Sequence, residues 1–224
     1  MFIQCMARAR APRAPAASTT PSGEDGLFAE ASPQEQRILR AALDLFVLRG
    51  FHATTIPEIA RRAGLAAGTI YLYFPGKEQL ATALLTRIRA GLARDLGQAL
   101  PARPRGTRAE FDAIWGVFAR FALACERAVA FCDLHHHTAY VGPEAQSAWE
   151  PAVTLLRAHF QAGRRAGLYR DLPPDALRAV MAGALIGVHK FARAGELRLT
   201  PGLLDEVRDM AWRAVGRPGR EEGA

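Results

Sequence analysis

Apolar residues recur at helical spacing along most of the chain, and the sharpest instance is a short stripe in its first half. The stripe comprises Ile56, Ile59, Ala60 and Ala63. This i, i+3, i+4, i+7 spacing predicts an amphipathic helix. Thr55 and Glu58 have the spacing of a capping box at its start. Gly64 ends the helix, because glycine enters the left-handed conformation without a steric penalty.

A second helix is predicted to begin at Ala66 or Ala67, directly after this turn. Ile70 and Phe74 lie four residues apart and form its buried side. The residues that point away from the core on this prediction are Ala66, Thr69 and Tyr73. Two short helices joined by a tight turn therefore leave these three side chains exposed and available to contact a partner.

A longer helix precedes both. Ser32 is its predicted cap, with Pro33 in the first helical position. Its apolar stripe contains Ile38, Ala42, Leu45 and Phe46. Three helices that bury their stripes together form a helix-turn-helix domain, predicted over residues 32–80, whose second motif helix can enter a major groove.

The pattern stays helical beyond Leu80, without strand alternation. A ladder at four-residue spacing, which predicts a long helix ending at Pro101, is formed by Leu80, Leu84, Ile88, Leu92 and Leu96. Further helices are predicted after a Thr107–Glu110 capping box, over 128–140 as a short segment, as one long helix after Pro143, over 173–194 and over 201–217. The predicted fold class is therefore all-α, with a second helical domain over 81–217, a disordered arm over 1–31 and a flexible tail over 218–224.

A more specific pattern runs from Arg37 to Leu80. It includes Thr54-Thr55-Ile56, Ala63-Gly64-Leu65, Gly68-Thr69-Ile70-Tyr71, Tyr73-Phe74 and Lys77-Glu78. This run, about a fifth of the chain, resembles the N-terminal domain of the TetR family of bacterial transcriptional regulators. The resemblance implies that DNA is contacted by Thr55, Thr69, Tyr71, Tyr73 and Lys77, and that the second domain is helical.

The same residues have suitable chemistry for DNA. Phosphates accept hydrogen bonds from hydroxyl, ammonium and backbone N–H groups, which suits Thr54, Thr55, Tyr71 and Lys77. Small residues let a helix enter the groove deeply, and those predicted to do so are Ala66, Ala67 and Gly68. Thr69 and Tyr73 are then placed to contact base edges. The structural alternatives are that Thr55 only caps a helix, that Tyr71 only fills the core and that Gly68 only relieves crowding.

Charge and composition agree with this hypothesis without identifying it. The chain has 29 Lys and Arg against 22 Asp and Glu, a net charge of +7, which favours a polyanionic partner. Residues 33–80 contribute only +2 of that excess, from six basic and four acidic residues. Charge alone therefore leaves nucleic acid, acidic lipid and a solvated surface as alternatives. No segment has the length of a secretory or membrane-spanning stretch, so we expect a cytoplasmic protein with no membrane partner.

The second domain contains a candidate ligand pocket. Ligand pockets are mostly apolar with a few convergent polar groups, and the candidate lining residues are Trp115, Phe118, Phe131, His135, His136, Tyr140 and Trp149. The alternatives are a buried core, solvated histidines, a metal site or thiol sensing at Cys125 and Cys132. Three consecutive histidines cannot share one helical face, and at most two of them could join Cys132 in binding a metal, for which Cys132 with His135 or His136 has suitable spacing. We predict no metal and no cofactor. Three cysteines indicate no disulfide framework.

Small residues recur at four-residue spacing in the predicted helix over 173–194. They are Ala179, Gly183 and Gly187. Each glycine costs a soluble helix about 1 kcal/mol relative to alanine, and close helix contact is a reason to keep it. The family resemblance implies a homodimer whose last two helices form a four-helix interface. The alternative is packing of the same stripe within one chain.

These observations predict a ligand-responsive, homodimeric transcriptional repressor. It binds a palindromic double-stranded DNA operator and is released by a small, largely apolar effector. Two alternatives remain open: a constitutive DNA-binding dimer without an effector, and a small enzyme that uses the 135–137 histidine segment as general base. The enzyme hypothesis lacks support from a glycine-rich phosphate loop, a nucleophile elbow or a metal-binding histidine motif, and we predict no catalytic activity.

Overall fold

The computed structural model describes residues 23–135 and 141–218. Within them a 3-10 turn at Glu24–Phe28 precedes ten α-helices. This turn corrects the predicted disordered arm over 1–31, because Phe28 is buried in the core and Glu24 forms an ion pair with Arg127. The helices are α1 (Pro33–Arg49), α2 (Ile56–Ala63), α3 (Ala67–Tyr73), α4 (Lys77–Ala99), α5 (Arg108–Ala124), α6 (Glu126–His135), α7 (Pro143–Ser147), α8 (Glu150–Arg165), α9 (Pro174–Arg193) and α10 (Pro201–Val215). The predicted all-α class is confirmed. None of the described helices is long and apolar enough to cross a membrane.

The first three helices form as the sequence predicts. The Ser32 hydroxyl accepts the Glu35 N–H, and Thr55 and Glu58 form both bonds of a capping box on α2. Gly64 ends α2 in the left-handed conformation, with φ 65°. The Arg37 guanidinium on α1 donates to the carbonyl oxygens of Ala63 and Gly64 at 2.9 and 2.8 Å, which holds the turn between α2 and α3 against α1.

Helix α4 connects the first three helices to the rest of the chain. The five residues of its predicted ladder are all buried. It packs against α1 on one side and against α5, α7 and α8 on the other. One helix therefore contributes to the cores of both predicted domains.

Helix α6 makes a second connection between the two domains. Phe131 on α6 stacks on Phe46 of α1, with ring centroids 5.9 Å apart. Arg127 near the start of α6 forms ion pairs with Asp44 of α1 and with Glu24. Helices α6 and α1 are thus in direct contact through an aromatic pair and an ion pair.

Two details of the second domain differ from the prediction. The single long helix expected after Pro143 is two helices, α7 and α8, because Pro151 has no N–H to continue the hydrogen-bond ladder and starts a new helix at its first turn. The Thr107 hydroxyl does cap α5. The Glu110 carboxylate, however, reaches past Thr107 and accepts from the backbone N–H groups of Arg105 and Gly106.

A buried polar group of three side chains ties α5, α8 and the segment after α8. His159 Nδ1 lies 3.0 Å from Glu110 Oε2, and His159 Nε2 lies 2.6 Å from the Tyr169 hydroxyl. Burial lowers the pKa of His159, although Glu110 acts in the opposite direction. A neutral imidazole can donate a hydrogen bond from Nδ1 to Glu110 and accept one at Nε2 from the Tyr169 hydroxyl, which satisfies the hydrogen-bonding needs of all three side chains.

Helix α9 leaves one side uncovered. Ala179 and Gly183 on that side are exposed and Gly187 is half-buried. A Cβ atom added at either glycine would meet no atom within 4 Å. The exposed apolar side chains of α9 and α10 are Val180, Ile186, Phe191 and Met210. The small stripe is therefore not required for packing within this chain.

Candidate nucleic-acid interface

Helix α3 presents its outer side to solvent at the end of the three-helix unit. Ile70 is fully buried and fixes which side faces inward. At about 100° per residue, Gly68 and Leu72 each lie roughly 160° from Ile70 and so form the outermost line of the helix. Thr69 and Tyr71 lie about 100° to either side of Ile70 and flank that line.

The start of α3 is formed by small residues. Ala66 is its N-cap and provides no side-chain hydrogen bond, so the first N–H groups of the helix have no side-chain cap. Ala66 and Gly68 are exposed and Ala67 is half-buried. A Cβ atom at Gly68 would meet nothing within 4 Å. Gly68 is therefore not needed to relieve crowding inside the protein, and its outer side allows close approach of a partner.

The hydroxyl-bearing residues of α3 surround this bare surface. Tyr71 is 54% exposed and Tyr73 is 37% exposed, while Thr69 is half-buried. The exposure of Tyr71 argues against the alternative that it only fills the core. The structure thus brings Thr69, Tyr71 and Tyr73 together on one exposed helix, as the sequence predicts.

Thr55 is exposed, but its hydroxyl also has a structural role. It accepts the Glu58 N–H at 3.4 Å and donates to Glu58 Oε2 at 2.9 Å. Hydrogen bonds from the Thr55 side chain and N–H lower the pKa of Glu58. Arg49 pairs with the same carboxylate at 2.6 Å. The capping function predicted for Thr55 is confirmed, and its contact with DNA stays a prediction.

Thr54 requires a correction. Its side chain is fully buried, and its hydroxyl lies 2.8 Å from the Gly50 carbonyl oxygen and 3.2 Å from that of Leu45. This hydroxyl closes the corner after α1 and does not reach a phosphate. The burial follows from the position of Thr54 between Phe51 and α2, which the spacing of apolar residues did not reveal.

The prediction for Lys77 is corrected in a similar way. The ammonium donates to the carbonyl oxygens of Phe51 and Thr54, both at 2.8 Å, and approaches that of His52 at 3.5 Å. It also lies over the Phe51 ring, 4.4 Å from its centroid. An ammonium has three donors, and all three are directed at this corner. Lys77 therefore fastens the start of α4 to the α1–α2 loop and presents no free donor to DNA.

Leu72 was not among the predicted contact residues. It is 83% exposed, the largest exposed fraction of the large apolar side chains that the structure describes. Its position four residues after Gly68 and opposite Ile70 is the signal that identifies it. The sequence analysis passed over Leu72 because leucine in a helix is ordinarily assigned to a core.

The candidate ligand residues of the second domain are only partly brought together. Phe118 and Trp149 pack edge to face at 6.4 Å. Trp115 is 2% exposed, and its Nε1 has no hydrogen-bond partner in the described part of the chain. Phe131 fills the contact with α1 described above. His136 and Tyr140 lie outside the described residues, and the structure does not describe the side chain of His135.

The two described cysteines have little thiolate character. Burial raises the pKa of Cys125 to about 11 and that of Cys132 to about 12. Reactive thiols instead have lowered pKa values in electropositive surroundings, so thiol sensing gains no support here. Across residues 23–135 and 141–218, no three His, Cys, Asp or Glu side chains are grouped to hold a metal ion.

Comparison with known proteins covers both domains. Residues 38–84 match the family model described as bacterial regulatory proteins, tetR family, and residues 85–217 match the tetracyclin repressor-like C-terminal domain. The uncharacterized HTH-type transcriptional regulator YdgC of Bacillus subtilis (strain 168) is 30% identical over 140 residues, 61% of this chain and 68% of that protein.

Solved structures share the fold over more than four-fifths of the chain. A TetR family transcription regulator from Marinobacter aquaeolei VT8 superposes with a TM-score of 0.70 at 26% identity, covering 82% of this chain and 95% of the other. A complex of SmeT with triclosan superposes with a TM-score of 0.62 at 19% identity, covering 86% and 97%. SmeT is the repressor of a Stenotrophomonas maltophilia multidrug efflux pump. At that identity the likeness to SmeT shows the fold alone.

Proposed function

The chain belongs to the TetR family of bacterial transcriptional regulators, and from this premise we propose that it is a homodimeric repressor released from a palindromic operator by a small effector. The observation that carries the proposal is the outer side of α3, where an uncapped helix start and a bare glycine are flanked by exposed hydroxyl groups. That surface suits the floor of a major groove.

The proposed contacts fall into two groups. Tyr71, together with Thr55 and the free N–H groups at the start of α3, is placed to bind phosphates. The bases are assigned to the outer line of α3, formed by Gly68 and Leu72, and to the residues that border it, namely Ala66, Ala67, Thr69 and Tyr73. An alanine methyl or a leucine side chain there can contact the C5 methyl group of thymine, which distinguishes thymine from the other bases.

The uncovered side of α9 supports a homodimer. The exposed Ile186 and Phe191 lie near Gly183 and Gly187 on α9, and Met210 of α10 is exposed as well. Contiguous apolar residues around a small-residue stripe suit close contact with an identical helix. A dimer through α9 and α10 would present two α3 helices to half-sites about one helical turn apart.

An effector site is proposed around Trp115. This indole N–H is buried and has no hydrogen-bond partner within residues 23–135 and 141–218. Such a group ordinarily has one, so a ligand oxygen there would satisfy it. The SmeT–triclosan complex shows that a protein of this fold holds a small aromatic ligand. Binding would release DNA only if the effector prefers a conformer in which α4 and α6 hold the two α3 helices at a different spacing.

The experiment that tests the proposal is selection of bound sequences from a randomised duplex library, repeated over a series of salt concentrations. We expect enrichment of a palindrome with half-sites about one turn apart. Tyr71→Phe should weaken binding to all sites similarly, whereas Thr69→Ala should change the relative preference among sites. Binding without an enriched sequence, or no binding, would contradict the proposal.

The constitutive dimer is the second candidate, and the same probe separates it from the first. Candidate effectors are titrated against the enriched duplex. Release by a small aromatic molecule that is lost in Trp115→Phe supports an effector site, because this change removes only the indole N–H and part of the ring. Retention of DNA with every compound that binds the protein would favour the constitutive dimer.

A further inference from the structure

A cavity of about 300 Å³ lies where the end of α5, the start of α6 and the last turn of α9 meet the loop before α10. Its apolar wall includes Leu123 and Leu197, and its polar side chains are Glu126, His189, Arg193 and Arg198. None of these residues belongs to the aromatic group around Trp115. The volume is at the lower end of the range for ligand pockets, which starts at about 300 Å³.

His189 is the buried polar group of this cavity. It is 3% exposed, and its Nε2 has no hydrogen-bond partner among the described residues. Burial lowers the pKa of His189 and Arg193 acts in the same direction, while Glu126 and Asp133 act against them. The imidazole is therefore neutral at pH 7, and its Nε2 is shielded from solvent without a hydrogen bond among the described residues, a cost in free energy that a polar group reaching it would remove.

The charges around the cavity favour an anion. Two guanidinium groups and one carboxylate line it. Neither Arg193 nor Arg198 forms an ion pair in the part of the chain that the structure describes, in contrast to the many paired arginines elsewhere. A guanidinium group offers parallel N–H donors that match a carboxylate.

We propose that this cavity binds a small organic carboxylate, with its anionic group on Arg193 and Arg198, a hydrogen bond to His189 and its apolar body against Leu123 and Leu197. The buried His189 faces away from the small-residue stripe, about 160° around α9 from Gly187, whereas Arg193, two turns after Ile186, lies at the edge of the proposed dimer surface. It touches α6 at Glu126, and α6 contacts α1 through Phe131. Occupancy thus acts on the helix that joins the second domain to the DNA-binding domain.

The test is calorimetric titration of the full chain with benzoate, hexanoate and, as the neutral counterpart, benzyl alcohol. We expect at least one carboxylate to bind once per protomer with a Kd below about 1 mM, and benzyl alcohol to bind at least tenfold more weakly. Because Arg193 and Arg198 are exposed to solvent, Arg193→Gln and Arg198→Gln should each weaken carboxylate binding about two- to fivefold, the effect of losing an exposed ion pair.

Arg103→Gln is the matched control, since it removes the same charge from an exposed loop residue outside the cavity. It should bind the carboxylate like the wild type. A second readout is the ¹⁵N spectrum of the histidine rings. The signal of His189 is assigned as the one that is missing from the spectrum of His189→Gln, and it should shift when the carboxylate is added to the wild type. Lack of binding by both carboxylates up to about 10 mM, equal binding of benzyl alcohol, or unchanged affinity in both arginine variants would overturn the proposal. DNA is absent from these measurements, so their outcome is independent of the proposed operator.

Discussion

Lys77→Met tests whether the ammonium of Lys77 is a structural fastener or a phosphate contact. The substitution keeps most of the aliphatic stem and removes the two hydrogen bonds of 2.8 Å to Phe51 and Thr54 and the contact with the Phe51 ring. A hydrogen bond to a charged group contributes about 1.5–3 kcal/mol. Because Lys77 is half-buried and the released carbonyls regain water, we expect a total loss of about 2–3 kcal/mol in the free energy of unfolding.

The measurement is urea unfolding at fixed protein concentration, because the stability of a dimer depends on concentration. Lys190→Met is the matched control, since Lys190 is the other lysine of the chain and its ion pair with Asp133, at 3.2 Å, is 57% exposed on the lysine side. An exposed pair of this kind contributes at most about 1 kcal/mol. Lys77→Met should therefore lower the stability clearly more than Lys190→Met.

The dependence of operator affinity on salt separates the two roles of Lys77. A phosphate contact in each protomer would contribute about 0.9 to the slope of log K against log salt concentration, or about 1.8 for a dimer. A fastener that faces the protein interior leaves that slope unchanged, even if affinity falls because the domain is loosened. A slope reduced by about 2 together with unchanged stability would refute the fastener role.

Four further substitutions test other parts of the structure. Gly68→Ala should raise the free energy of unfolding by up to about 1 kcal/mol, because the added methyl meets no described atom and alanine favours a helix. The same variant should bind the operator more weakly, because the methyl group prevents close approach. Improved operator affinity would count against close approach at Gly68. Gly183→Trp should shift the protein to monomer in analytical ultracentrifugation, and a persistent dimer would place the interface elsewhere. Tyr169→Phe should cost about 1–3 kcal/mol, because His159 Nε2 loses its buried partner, and a change near zero in urea unfolding would disprove this. Replacing each thymine of the operator by uracil removes only a methyl group from the base. This replacement should reduce the operator affinity of the wild type more than it reduces that of the Leu72→Ala variant. Equal losses of affinity in the two proteins would exclude Leu72 as a thymine contact.

The buried His159 also predicts how the stability depends on pH. Its pKa in the folded protein lies below the ordinary value of 6.5, chiefly because of burial. The unfolded chain therefore binds the proton more readily, and the contribution of His159 is complete above pH 6.5 and is lost as the pH falls below it. Unfolding curves from pH 8 to pH 5 should show a decline that is smaller in His159→Gln, and equal declines would assign the pH dependence to other groups.

The sequence predicted the first four helices well because local signals there agree with packing. Ser32, Thr55 and Gly64 are a cap, a capping box and a left-handed stop, and each acts within a few residues of its own position. The break at Pro151 was missed because the apolar spacing of α8 continues smoothly from the segment before it. Proline at the start of a helix and proline interrupting one look alike in a linear pattern.

The contact residues were harder to predict because their roles depend on groups distant in sequence. Thr54 and Lys77 have the residue types expected at a phosphate, yet both are engaged by carbonyl oxygens from the loop after α1. Lys77 and Phe51 are 26 residues apart, so no local pattern reports that contact. Leu72 was not named among the contact residues, although it is open to solvent, because the spacing of apolar residues does not report which of them are left uncovered.

The stacking of Phe131 on Phe46 has a consequence for exchanging parts between related regulators. A chimera that takes its DNA-binding helices from another protein and joins them at residue 80 divides α4 and pairs a foreign α1 with this chain's α6. The junction then leaves one aromatic ring against an unmatched surface, and cavities or clashes of that kind cost several kcal/mol in a packed core. DNA-sequence specificity is therefore transferred with less risk to stability by grafting the outer residues of α3 onto this chain. Such a graft leaves the packing between α1, α4 and α6 unchanged.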